Sequence, residues 1–269
     1  MPGGSGYVNT LFLSFVALLE TVAPVVAPAP VTVAPVAAPP VATLIPRPRV
    51  AIIDSGVAKT SELVGLVSAE YDMASNPGRP EFQPRYDHGT MVATILARAA
   101  HGQVDIISLR IDDPAGCPAG ANPPCQPSAA PVARAIRRAT ELGVDAINIS
   151  LALDKDPSIT AAIADAAAKG IRVVLAAGNN GYDHPGNLGP ARAAYPNAVL
   201  VGAIDSDGKP WSGTNRPDTT PQGYNYAWQL GVKVPTAAID GRAVTGTGTS
   251  FAVPLETAHF LASRTMAGK

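Results

Sequence analysis

The sequence predicts an α/β protein of three layers, with a mainly parallel sheet held between helices on both faces. Two patterns carry that expectation. From Val50 onward, short continuous apolar runs rich in Val and Ile recur, as they do in strands that are buried on both faces. Longer helix-like stretches lie between several of them, and strands that alternate with helices pair mainly in parallel. Composition agrees: with 46% hydrophobic and 15% charged residues among 269, there is apolar material for a sizeable core.

The elements follow in order along the chain. "LFLSFVALL" (Leu11–Leu19) is apolar but roughly half of the ~20 residues that a membrane-spanning helix needs. Residues 1–21 are therefore read as a signal peptide or signal anchor. No Lys or Arg precedes the run, Glu20 interrupts it, and Pro28 follows the best small-residue cleavage pattern, all atypical of a secretory signal. Residues 22–47 draw almost wholly on Val, Ala and Pro, which removes backbone donors and favours an extended, semi-rigid linker. Residues 48–269 form the folded domain. Its expected strands are "RVAIIDS", "VDIISLRI", "VDAINISL", "IRVVLAAG" and "AVLVGAI". Its expected helices are "HGTMVATILARAA", "PVARAIRRATELG" and "SITAAIADAAAKG", the last two closing on glycine, the usual residue just past a helix end. "DGKPWSGTNRPDTTPQGYNYAWQL" reads as a long polar loop, and no internal repeat is present.

Charge excludes some partners. With a net charge of −1 and a pI near 6.4 there is no long-range positive field for nucleic acid or anionic lipid. Aromatics, at 5%, are too few for an aromatic-rich recognition surface. Cys117 and Cys125, in a Pro/Gly-rich stretch, could close a small disulfide loop in an oxidising compartment. As a metal site the pair lacks both a CxxC spacing and a neighbouring histidine.

In parallel sheets ligands collect at the carboxyl ends of the strands, so polar residues there carry the functional argument. "GTGTSFAVP" sets Ser250 at a helix start, where a serine is more often a cap than a nucleophile. A nucleophile needs a base, and the base an acid. His259 lies nine residues on along the same helix, about 13 Å away at 1.5 Å per residue, and is out of reach. His101 reads as a solvated residue at a helix C-terminus, and His184 lies in a surface loop. His88, in "YDHGTMVATILARAA", stands at the mouth of a helix. Asp54 closes the strand "VAIID", where a buried carboxylate needs a partner; it could equally cap the turn that follows. In "VVLAAGNNG", Asn179 is either a turn residue or an amide donor to a developing oxyanion.

The order of these residues discriminates between families. A serine–acid–histidine order would need an acid and a histidine beyond Ser250, where only Glu256 and His259 remain, both on its own helix. A histidine–acid–serine order belongs with a β-barrel. The order Asp54, His88, Ser250 is the one that subtilisin itself illustrates. "VAIIDSGV", "DHGTMVA", "AAGNNG" and "GTGTSFAVP", in that sequence over residues 50–254, resemble the four signature segments of the subtilisin-like serine proteases.

The resemblance implies a subtilisin-like α/β fold and a serine endopeptidase that works through an acyl-enzyme. Ser250 would attack, His88 would carry the proton, Asp54 would orient His88, and Asn179 with the Ser250 N–H would hold the oxyanion. Ser150, Leu151, Ala152 and Gly178 would line the substrate cleft, where a peptide binds as an added strand. The alternative is a catalytically silent relative that binds polypeptide or serves as an anchored structural module. No cofactor or metal is implied. Polypeptide substrates are expected, for a monomer that is secreted or held in the cell envelope, with membrane anchoring open to the N-terminal segment.

Four departures from the family pattern stand out. Ala152 and Leu153 replace a usual glycine pair, which would narrow the primary pocket toward small side chains. Met91 stands where a second histidine is common. "ILARAAHGQVDIISL" is too short and too poor in acids for the family's structural calcium loop. Residues 1–49 are too short and Pro-rich for a folded prodomain.

Overall fold

The computed structural model describes residues 46–267, apart from 75–76, 120, 122–123, 127 and 220–221. The apolar run at Leu11–Leu19 and the Pro-rich stretch after it lie outside the described residues, among which no helix is long and apolar enough to cross a membrane. Seven strands form one sheet: β1 (Arg49–Asp54), β2 (Val67–Asp72), β3 (Asp105–Arg110), β4 (Ala146–Ile149), β5 (Arg172–Ala176), β6 (Ala198–Ile204) and β7 (Asn225–Leu230). Their order is β2-β3-β1-β4-β5-β6-β7, and every pair is parallel. A separate antiparallel pair joins β8 (Val234–Ala237) to β9 (Ala243–Gly246).

Strand alternation assigns the layers. On one face Ala51, Ile53, Leu109, Ile147, Ile149, Val173 and Leu175 meet α2 (Ala130–Glu141), α3 (Pro157–Ala168) and α4 (Leu188–Ala193). On the other, Val50, Ile52, Ile106, Val174 and Val201 meet α1 (His88–Ala99) and α5 (Thr249–Ala267). Apolar side chains on both faces are why the central strands read as continuous apolar runs. The glycines foreseen after α2 and α3, Gly143 and Gly170, have φ of 62° and 79°, the left-handed stop that glycine adopts without strain.

The sheet has two edges that sequence patterning does not show. β2 and β7 are half-exposed, and β7 lies inside the stretch read as a polar loop. The buried carboxylate of Glu70 on β2 is satisfied: it accepts from Val57 N at 2.9 Å, Phe82 N at 2.9 Å and Ser108 Oγ at 2.7 Å. Arg79 adds ion pairs to Asp72 and Asp112 at 2.7 and 2.9 Å, and these bonds pin the segment that leads into His88. Burial raises the Asp72 carboxyl, but its bonds to Arg79 and Ala74 N outweigh that and bring it down to about 2.

β1 sits at the centre with β3 on one side and β4 on the other, so the chain changes direction across its carboxyl end. That crevice is where an open parallel sheet holds its ligand. The start of α1 is pressed against it: a Cβ at Gly89 would collide with the Gly56 carbonyl and stand 3.2 Å from the Asp54 side chain. Gly89→Ala is accordingly expected to destabilise the fold by roughly 1–3 kcal/mol through overpacking. A thermal midpoint lowered by about 2–4 °C per kcal/mol would register it; an unchanged midpoint would contradict the close approach.

Candidate active site

Asp54 is the last residue of β1, with its side chain 1% exposed. Both of its carboxylate oxygens lie 2.9 Å from His88 Nδ1, and Oδ1 also accepts from Ser55 N at 2.7 Å. The turn-capping role and the role of partner to a histidine therefore coexist. His88 opens α1, its ring tilted against Phe251 with 5.5 Å between centroids. An ionised carboxylate on Nδ1 requires a proton there, which leaves Nε2 as the basic nitrogen. Burial pushes the His88 imidazolium down; the charge and hydrogen bond of Asp54 push it up and prevail, so its pKa stands above the ordinary value.

Ser250 is the second residue of α5. Pro254, four residues on, has no N–H with which to cap the Ser250 carbonyl. Ser150 Oγ supplies the missing donor at 2.8 Å, and Ser250 Oγ returns a bond to Ser150 O at 2.9 Å. The buried Asn148 steadies this exchange, donating to Ser150 Oγ at 3.1 Å while its Oδ1 accepts from Thr257 Oγ1 at 3.0 Å. Ser250 Oγ thus points to Ser150 and must turn to reach the imidazole of His88. Apo sites often hold such catalytic contacts loosely.

Asn179 follows β5 by three residues. Its Oδ1 accepts from Thr249 N and Thr249 Oγ1, both at 2.9 Å, so the Nδ2 hydrogens are its remaining donors. Gly248 has a φ of 143°, and a Cβ there would stand 3.1 Å from Asn179 Nδ2. Glycine keeps that approach open.

Asp87, His88, Met91, Ser150, Leu151, Ala152, Ala176, Gly178, Asn179 and Ser250 line one cleft of about 770 Å³. Every residue singled out for catalysis or substrate lining except the buried Asp54 is on that wall. The other histidines are elsewhere: His101 and His259 are exposed, and the exposed His184 stacks on Tyr182 at 5.3 Å. Leu153 corrects an expectation. Its side chain packs against the main core and leaves only Ala152 of the pair in the cleft. Cys117 and Cys125 are bonded, and Cys117 N donates to Tyr86 Oη at 2.8 Å, which holds the loop beside the cleft.

Asn215 escaped the sequence reading. Buried within the supposed polar loop, it donates from its backbone N to Gly178 O at 2.8 Å and accepts at Oδ1 from Asn180 N and Tyr182 N at 2.9 and 3.1 Å. It thereby grips the turn that presents Asn179 from both sides. Only its place in a "TNRP" turn-like segment hints at it.

The model of the subtilase family matches residues 47–263. Alkaline elastase YaB of Bacillus sp. (strain YaB) is 31% identical over 169 residues, covering 59% of this chain and 40% of its own. Mycosin-4 of Mycobacterium tuberculosis is 31% identical over 199 residues, with 60% and 42% covered. A thermophilic serine proteinase of Bacillus sp. (strain AK1) is 29% identical over 208 residues, with 72% and 50% covered. The chain thus spans about half or less of the length of these relatives. Among solved structures, the prenylagaramide maturation protease PagA superposes with a TM-score of 0.63 at 22% identity, covering 84% of this chain and 79% of that one. A cold-adapted subtilisin-like serine proteinase gives 0.64 at 22%, with 80% and 75% covered.

Proposed function

The chain belongs to the subtilase family, and from that premise we propose that it is a serine endopeptidase acting on polypeptides through Asp54, His88 and Ser250. The observation that carries the reading is the Asp54–His88 pair, 2.9 Å apart, with Asp54 buried behind His88 and His88 lining the cleft with Ser250 and Asn179.

A peptide lying along Ser150–Ala152 brings its carbonyl carbon to Ser250. Its backbone N–H groups compete for the Ser150 carbonyl and release the Ser250 hydroxyl toward His88. Oγ attacks as His88 Nε2 takes its proton, and Asp54 stabilises the imidazolium. The carbonyl oxygen gains the negative charge, which Asn179 Nδ2 and the Ser250 N–H stabilise at the positive end of α5. Collapse breaks the C–N bond, and His88 returns the proton to the departing amine. Water then attacks the acyl-enzyme by the same relay, freeing the acid and restoring Ser250.

A fluorophosphonate probe is expected to label the protein at a single residue, mapped to Ser250 by mass spectrometry. A folded chain that stays unlabelled would refute the peptidase and leave a polypeptide-binding domain. For specificity, the Cβ of Ala152 in the cleft favours small side chains before the cleaved bond, by about tenfold or more per added methylene. A cleavage profile dominated by large aromatics at that position would contradict this. The bonded cysteines support maturation in an oxidising compartment, in keeping with a secreted or cell-envelope protein.

A further inference from the structure

The backbone pairing between β4 and β5 stops at Ile149 and Leu175. Beyond it no backbone bond joins the two segments among the described residues, and Leu151 and Ala152 of one and Ala176 and Gly178 of the other all line the cleft. A gap between parted strands has no ladder of its own to fix its width.

One side chain spans it. Asn187 Nδ2 donates to Leu151 O at 2.8 Å and to Ala176 O at 2.9 Å, while Oδ1 accepts from Leu153 N at 2.9 Å. Both amide hydrogens are engaged, one to each strand extension. Asn187 also occupies the N-cap of α4 with a left-handed φ of 56°, yet its side chain makes no capping bond. An asparagine at an N-cap ordinarily spends its oxygen on its own helix; this one is turned outward to the gap. On the near side its bonds bracket Ala152, and the partly buried Leu153 packs against the core as an anchor. The wall is thereby held on both sides of Ala152, which is exposed on the cleft wall.

We infer that Asn187 is a positioning residue that sets the width of the primary side-chain pocket, and so the size of the residue accepted before the cleaved bond. The inference rests on the peptidase reading for its meaning, but its test does not require turnover.

In a Ser250→Ala background, fluorescein-labelled acyl-tetrapeptides ending in Ala or in Phe are titrated by fluorescence polarisation, with and without Asn187→Gly. Glycine retains the left-handed backbone and removes only the amide; Asn187→Asp keeps the acceptor for Leu153 N and loses both donors. Both variants are expected to shrink the preference for Ala over Phe by about tenfold, the scale of a reshaped apolar pocket. Fluorophosphonate labelling of the Ser250-intact Asn187→Gly chain, which engages no pocket side chain, is expected to change by less than that ratio. An unchanged Ala-to-Phe ratio overturns the inference, as does equal weakening of both peptides or binding of neither in the parent background. A shifted ratio in a chain that never labels would instead sink the peptidase reading and leave the assignment of Asn187 standing.

Discussion

The Ser250→Ala chain is expected to lose peptide hydrolysis by on the order of 10⁶-fold in kcat, the magnitude that the same loss has in subtilisin itself. It is expected to fold as the parent does. The hydroxyl makes one bond, to Ser150 O, worth about 1 kcal/mol and hence a few degrees in Tm. The stronger tether at this position, Ser150 Oγ on the Ser250 carbonyl, involves backbone and survives the substitution. Steady-state hydrolysis of a chromogenic peptide together with thermal unfolding separates the two effects. A variant with the parent's Tm and more than about a hundredth of its activity would remove Ser250 from the chemistry, since no intact triad loses so little.

Asp54→Asn is expected to lower kcat by about 10⁴-fold, because an amide can donate to Nδ1 and so leave the proton on Nε2, where the base is needed. It should also move the pH profile. In the parent the Asp54 charge lifts His88 above the ordinary value of about 6.5, against its burial. Since only neutral His88 can act as base, kcat/KM rises with pH through that elevated value. Stability runs the other way. A group whose pKa is raised by folding contributes its stabilisation in full below its unfolded value, and that contribution fades as pH climbs through the folded one. The parent should therefore gain activity and lose the pair's share of stability over one window above about pH 6.5. In Asp54→Asn the activity limb shifts to lower pH and the stabilising increment on the acid side disappears. Profiles of kcat/KM and Tm from pH 5 to 9 would test this, and superimposable midpoints in the two proteins would contradict it.

What the sequence disclosed, and what it hid, follows from where the relevant contacts lie. The central strands were legible because helices cover both faces and their apolar runs are unbroken. β2 and β7 were not, because half-exposed edge strands mix polar and apolar residues as loops do. Asp54, His88, Asn179 and Ser250 could be grouped from sequence because each sits at or just beyond an element's end inside a local motif, whereas the bond that turns Ser250 toward Ser150 had no such mark. The side chains of Asn187 and Asn215 act on residues up to 36 and 35 positions away, and a lone asparagine in a loop carries no mark of such partners. Leu153 was misplaced because alternation along an extended segment sends neighbouring side chains to opposite sides, which composition cannot orient.

The grip of Asn215 on the turn that carries Asn179 also bears on how this protein can be remodelled. The stretch from β6 to β7 contains two regions of unlike tolerance. Its tip, Ser206–Pro210, is exposed and held largely by its own turn bonds, so added residues or a grafted peptide there would disturb little beyond it. A few residues later, Gly213 O receives Gly181 N, Asn215 clasps three backbone groups, and Arg216 N reaches Tyr182 O at 2.8 Å. There the chain serves as a fixed ruler for the turn that carries Asn179. A single inserted residue in that stretch would slide every rung at once, and is expected to abolish the proposed peptidase activity from a loop none of whose described residues lines the cleft.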